Sequence, residues 1–80
     1  MKNAKGNGKD VDGVIWSRTI ALRTMAFRQA RKMTQQRLAD LVGLTRTSIV
    51  NIEAHRQAIT LPTLYGIAKA LGVNPKRLLP

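Results

Sequence analysis

TQQRLADLVGLTRTSIVNIEA, residues Thr34 to Ala54, decides how this chain folds. Its first half sets Leu38, Ala39, Leu41 and Val42 as core candidates behind Thr34, whose hydroxyl can cap the free amides of a first helical turn. Gly43 ends that run, because a left-handed residue closes a helix at low cost when it lacks a Cβ. Leu44 then plugs into the core, and Thr45 caps a second run to about Ala54 with Ile49 and Ile52 inward. Two helices joined by so short a turn form a helix-turn-helix over about residues 34–54. Ala39, four residues before Gly43, is small enough to let the second helix cross close to the first.

The same reading extends in both directions. Ser17 can cap a helix running to about Arg31, with Ile20, Phe27 and Ala30 on its inner face and Leu22, Met25 and Ala26 on a neighbouring one. Thr60 can cap LPTLYGIAKALG, where Pro62 occupies the first turn and no amide donor is required. Leu64, Ile67, Ala68 and Leu71 recur there at spacings of three and four, and Gly72 closes the helix. Asn74 and Pro75 open a short last helix carrying Leu78 and Leu79. No segment shows strand alternation or a hairpin signal. The expected fold is all-α, a compact bundle of about five short helices over residues 17–80. Residues 1–16 are expected to form a flexible basic N-terminal arm, glycine- and asparagine-rich, in which Lys2, Lys5 and Lys9 can lie along phosphates. Trp16, at its end, is expected to pack against the domain or a second subunit.

Charge narrows the partner. Fourteen Lys and Arg against four Asp and Glu give a net charge of +10 and a pI near 11.6, a balance that favours a polyanion. The eight arginines all lie between Arg18 and Arg77, so the charge belongs to the folded part. With no cysteine, disulfides and thiolate metal sites are excluded, in keeping with a reducing cytoplasm. One histidine builds no metal site alone, and no apolar run approaches the ~20 residues of a spanning helix. There is no carboxylate pair, nucleophile–base couple or metal constellation, so neither catalysis nor a cofactor is expected.

The second helix of the motif carries the informative face. With Ile49 and Ile52 inward, Arg46, Thr47, Val50 and Asn51 point outward or sideways. A B-form major groove admits one helix and displays donors and acceptors on every base pair. Arg46 has the fork geometry for guanine O6 and N7, and Asn51 can both donate to and accept from one adenine edge. Thr47 offers a hydroxyl and a methyl, the latter suited to thymine, and Val50 is an apolar contact. These side chains sit near the end of the helix that such motifs present to bases. Ser48 is assigned to capping.

The run FRQARKMTQQRLADLVGLTRTSIVNIEAHRQAITLPTLYGIAKALGV resembles the Cro/C1-type, or xenobiotic-response-element, helix-turn-helix family of bacterial and phage repressors. The pieces that carry the likeness are Arg28 before MTQ, LA-x-x-x-G, T-x-x-S-I-x-x-I-E and TL-x-x-L-x-x-I-A-x-A-L-G, over about residues 18–75. The resemblance implies a lambda-repressor-like five-helix domain that binds palindromic operators as a homodimer. By position it implies base contacts from Arg46, Thr47 and Asn51. It also implies a phosphate contact from Gln35 that braces the recognition helix, and a buried ion pair between Arg28 and Glu53. Arg37, Arg56 and Thr45 complete the expected phosphate contacts.

Three positions depart from the family pattern. Arg37 replaces the acid that would complete a capping box, and opposes the helix dipole. His55 stands where glycine is frequent, so the loop HRQAI is expected to take a variant shape. Thr24 replaces an aliphatic residue. The expected function is a sequence-specific double-stranded DNA-binding transcription regulator, a repressor in its simplest form. The alternative is an antitoxin or controller-type protein whose main partner is another protein, such as a toxin, with Leu22, Met25, Tyr65, Leu78 and Leu79 as its contact surface. A basic membrane binder is disfavoured by the interleaved glycines and short capped helices.

Overall fold

A computed structural model describes residues 10, 11 and 13–80. Its elements run β1 (Asp10–Val11), β2 (Val14–Ile15), α1 (Arg18–Ala30), α2 (Gln35–Val42), α3 (Arg46–Glu53), β3 (Ile59–Thr60) and α4 (Leu61–Leu71), ending in a 3₁₀ turn over Pro75–Arg77. Each helix begins where a short polar side chain captures a first-turn amide. Ser17 Oγ accepts from Ile20 N at 3.3 Å, Thr34 Oγ1 from Arg37 N at 3.0 Å, Thr45 Oγ1 from Ser48 N at 3.1 Å and Thr60 Oγ1 from Thr63 N at 3.3 Å. Asn74 Oδ1 does the same for Lys76 N at 2.9 Å. Such caps contribute about 1 kcal/mol each, a large share for helices this short.

Gly43 has φ +84°, and the amides of Gly43 and Leu44 both donate to Ala39 O, at 2.8 and 2.9 Å. That double closure turns the chain from α2 into α3. Leu38, Ala39, Ile49, Ile52, Leu64, Ile67 and Leu78 then form one core between α2, α3, α4 and the C-terminal turn.

Several details differ from the expectations. Among the described residues four α-helices and a 3₁₀ turn stand in place of five helices, because the segment after Pro75 is too short to propagate. A small antiparallel sheet, ordered β1–β2–β3, joins the N-terminal segment to the loop between α3 and α4. Strands of two residues carry no readable alternation, so nothing in the local pattern announces them. The expected arm at residues 1–9 and Asp12 lies outside the described residues, whereas Val14 and Ile15, assigned to its end, pair with Thr60 and Ile59.

Burial also redraws parts of the core. Ala30 is exposed and Phe27 only half-buried, while Ala21 and Thr24 take the inner face of α1. Leu41, a core candidate, is 45% exposed on the outer side of α2. Leu78, expected at the surface, is fully buried, because the last turn folds back against α4.

Thr24 is fully buried, and its Oγ1 has no hydrogen-bond partner among the described residues. Replacing Thr24 with Val removes that orphaned hydroxyl and keeps the shape. Urea unfolding is expected to show a gain of about 1 kcal/mol, the lower end of the penalty for a buried unmet polar group.

Candidate nucleic-acid interface

The motif is fixed from behind by a bidentate ion pair. Arg28 on α1 donates from Nε to Glu53 Oε2 at 2.7 Å and from Nη2 to Glu53 Oε1 at 3.0 Å, and its Nη1 donates to Met33 O at 2.7 Å. Both side chains are buried, at 11% and 4% exposure. Gln35, the first residue of α2, donates from Nε2 to Glu53 Oε1 at 3.1 Å. One carboxylate at the end of α3 therefore gathers α1 and the start of α2. With Ile49 and Ile52 inserted in the core, α3 has little freedom to roll.

On the other side of α3, Arg46 and Thr47 are exposed, and Val50 and Asn51 are half-exposed. All four sequence-predicted base-contact residues thus lie on one short helix, on surface its packing leaves open. Thr45 is exposed next to them, with its Oγ1 occupied by the cap and donating to Ser48 Oγ at 3.2 Å. Arg37 is exposed in the first turn of α2 and Arg56 in the loop after α3. Gln35 is half-buried with its amide already on Glu53, a geometry that braces α2 against α3.

Electrostatics favour an anion at this surface. Among the described residues no α-helix has an acid in its first turn, while α3 begins at Arg46 and α2 carries Arg37 three residues after its cap. Positive helix N-termini and added guanidinium groups oppose one another in the free protein. An anion bound at either terminus would relieve that opposition.

The loop after α3 keeps the closed form that a glycine would give. His55 adopts φ +59°, its amide donates to Ile52 O at 3.0 Å, and Arg56 N donates to Asn51 O at 2.8 Å. The expected variant shape is therefore absent, and histidine takes a left-handed conformation instead. The sequence reading also missed the support for this loop: the Trp16 ring stands edge-on to the His55 ring, 6.0 Å between centroids at 83°. It missed a second cationic surface as well, where the Arg31 and Arg77 guanidiniums lie 5.2 and 5.3 Å from the Phe27 ring centroid. Arg31 lies four residues after Phe27 on α1, a helical spacing, whereas the Trp16–His55 and Arg77–Phe27 contacts join distant parts of the chain that no local period signals.

A helix-turn-helix family model matches residues 25–78. The chain belongs to this family, of the Cro/C1 type. It is similar to the immunity repressor protein of Bacillus phage phi105, at 40% identity over 56 residues, which is 70% of this chain and 39% of the repressor. The chain thus matches well under half of that relative's length. It is also similar to the control protein C.SmaI of Serratia marcescens, at 35% identity over 60 residues, covering 75% of this chain and 71% of that one. Among solved structures, the P22 c2 repressor in complex with a synthetic operator superposes with TM-score 0.70 and 28% identity, over 75% of this chain and 91% of that one. The family resemblance stated from the motif is therefore matched in sequence and in fold.

Proposed function

We infer that this helix-turn-helix protein is a sequence-specific double-stranded DNA-binding transcription regulator, acting as a homodimeric repressor on a palindromic operator. The observation that carries the reading is the two-sidedness of α3. Its inner side is pinned by Ile49, Ile52 and the Arg28–Glu53 pair, and its outer side offers Arg46, Thr47 and Asn51. Arg46 reads guanine, Asn51 reads adenine, Thr47 and Val50 meet a thymine methyl, and Gln35, Arg37, Thr45 and Arg56 set the register on phosphates. Access to the nucleoid places this activity in the cytoplasm of a bacterium or an infected cell. The similarity to an immunity repressor and to an operator-bound repressor supports the reading.

Exposed Leu22 and Tyr65, at 51% and 58%, leave apolar surface for a second copy. The same surface favours a second reading, an antitoxin or controller whose principal partner is another protein. Purification from the native cell separates the two: a symmetric dimer supports the first, and stoichiometric capture of a different protein supports the second.

Fluorescence anisotropy with operator and scrambled duplexes tests the main reading. Arg56→Ala is expected to weaken both to a similar degree. It should also lower the slope of log K against log salt by about one, the value for one lost phosphate contact. A loss confined to the operator would contradict the phosphate assignment.

A further inference from the structure

We propose that Trp16 is a positioning residue for DNA binding, holding the Arg56 loop in its closed shape. The proposal rests on the reading of Arg56 as a phosphate contact. Four observations meet at this loop. His55 holds a left-handed φ of +59°, which histidine tolerates better than most side chains but less well than glycine, so the sequence HRQ does not select this turn by itself. The Trp16 indole packs edge-on against His55 at the start of the loop. At the far end, Val14 and Ile15 pair with Thr60 and Ile59, and Leu61 N donates to Gly13 O at 3.2 Å. One N-terminal segment therefore grips the loop at both ends.

The fourth observation concerns the interior. His55 Nε2 is buried without a hydrogen-bond partner among the described residues. It borders a void of about 10 Å³ that Ser17, Gln57 and Ile59 also line. At Nε2 the imidazole is thus held by shape and by the T-shaped contact with the indole rather than by a hydrogen bond. Trp16 itself is 46% exposed, so it is placed to steady a neighbour more than to fill the core.

The grip reaches the reading surface. Arg56 follows His55 directly, and its amide donates to the carbonyl of Asn51, itself on the outward side of α3. If the turn at His55 opens, the amide bond to Asn51 is lost and the Arg56 side chain leaves the position that the closed turn sets. Recognition through Arg46 would persist, because α3 remains fixed by Glu53.

The test uses the full chain as wild type, Trp16→Ala, Trp16→Phe, Arg56→Ala and the Trp16→Ala/Arg56→Ala double variant. Each is titrated over a salt series against a mixed-sequence duplex of roughly two helical turns, well below its thermal midpoint. Trp16→Ala is expected to lower the salt slope by about one, as Arg56→Ala does. The double variant should match Arg56→Ala alone, and Trp16→Phe should return the wild-type slope. Hydrogen exchange at the Arg56 amide should quicken roughly tenfold or more in Trp16→Ala, while α3 core amides keep their protection. A wild-type slope in Trp16→Ala alongside a lowered slope in Arg56→Ala overturns the proposal, as does an additive double variant. Should Arg56→Ala leave the slope unchanged, the phosphate reading fails instead. Unchanged exchange at the Arg56 amide in Trp16→Ala overturns the proposal in either case.

Discussion

Glu53→Ala is expected to lower the unfolding free energy by about 3–5 kcal/mol, measured by urea denaturation. The carboxylate accepts two hydrogen bonds from Arg28 and one from Gln35, and both partners of the pair are buried. Its removal strands a guanidinium in the interior, with the Met33 carbonyl as its one remaining partner among the described residues. An 80-residue domain holds on the order of 4–12 kcal/mol in all, so the loss leaves little reserve. The size of the effect comes from the abandoned charge, not from the worth of an intact pair. For that reason the Arg28→Met/Glu53→Leu double variant should be more stable than Glu53→Ala, since apolar isosteres often replace a buried pair at little cost. A Glu53→Ala variant within about 0.5 kcal/mol of wild type, the range of an ordinary surface change, would contradict this account.

Arg46→Ala is expected to erase preference at a single base pair of each half-site, by about 1–3 kcal/mol or roughly 5- to 150-fold in affinity ratio. Arg46 opens α3, is exposed, and has no acidic neighbour in the first turn to draw its guanidinium away. Its planar fork matches the two acceptors of a guanine edge, whereas an ammonium at the same place supplies only a point charge. Arg46→Lys should therefore keep most of the salt dependence while losing most of the discrimination. Binding profiles over all single-base variants of a recovered site check both. Equal weakening at every base, with a flatter salt slope, would make Arg46 a phosphate ligand and not a reader.

Much of the molecule was legible from residue types at helix ends. Ser17, Thr34, Thr45, Thr60 and Asn74 are the observed caps, because a side-chain oxygen at such a position has one efficient local use. Gly43 announced the turn for a similarly local reason. The periodic pattern was weaker on depth. It places Leu41 and Ala30 on apolar faces, but no neighbour covers them, and Leu78 is buried by a fold-back that the pattern cannot show. The Arg28–Glu53 pairing came from family likeness, since two charges 25 positions apart have no local signature. The Trp16–His55 contact had neither source. It depends on a two-residue strand and on a histidine holding a glycine-like turn.

Reading of base edges by α3 in a two-fold DNA site can be measured outright. Selection of bound duplexes from a random pool, using the full chain, tests it most directly. One inverted repeat is expected to be enriched, with half-site centres about one helical turn (~34 Å) apart. Its scrambled form should bind far more weakly at equal salt. A pool with no enriched sequence, and equal affinity for recovered and scrambled duplexes, would contradict it.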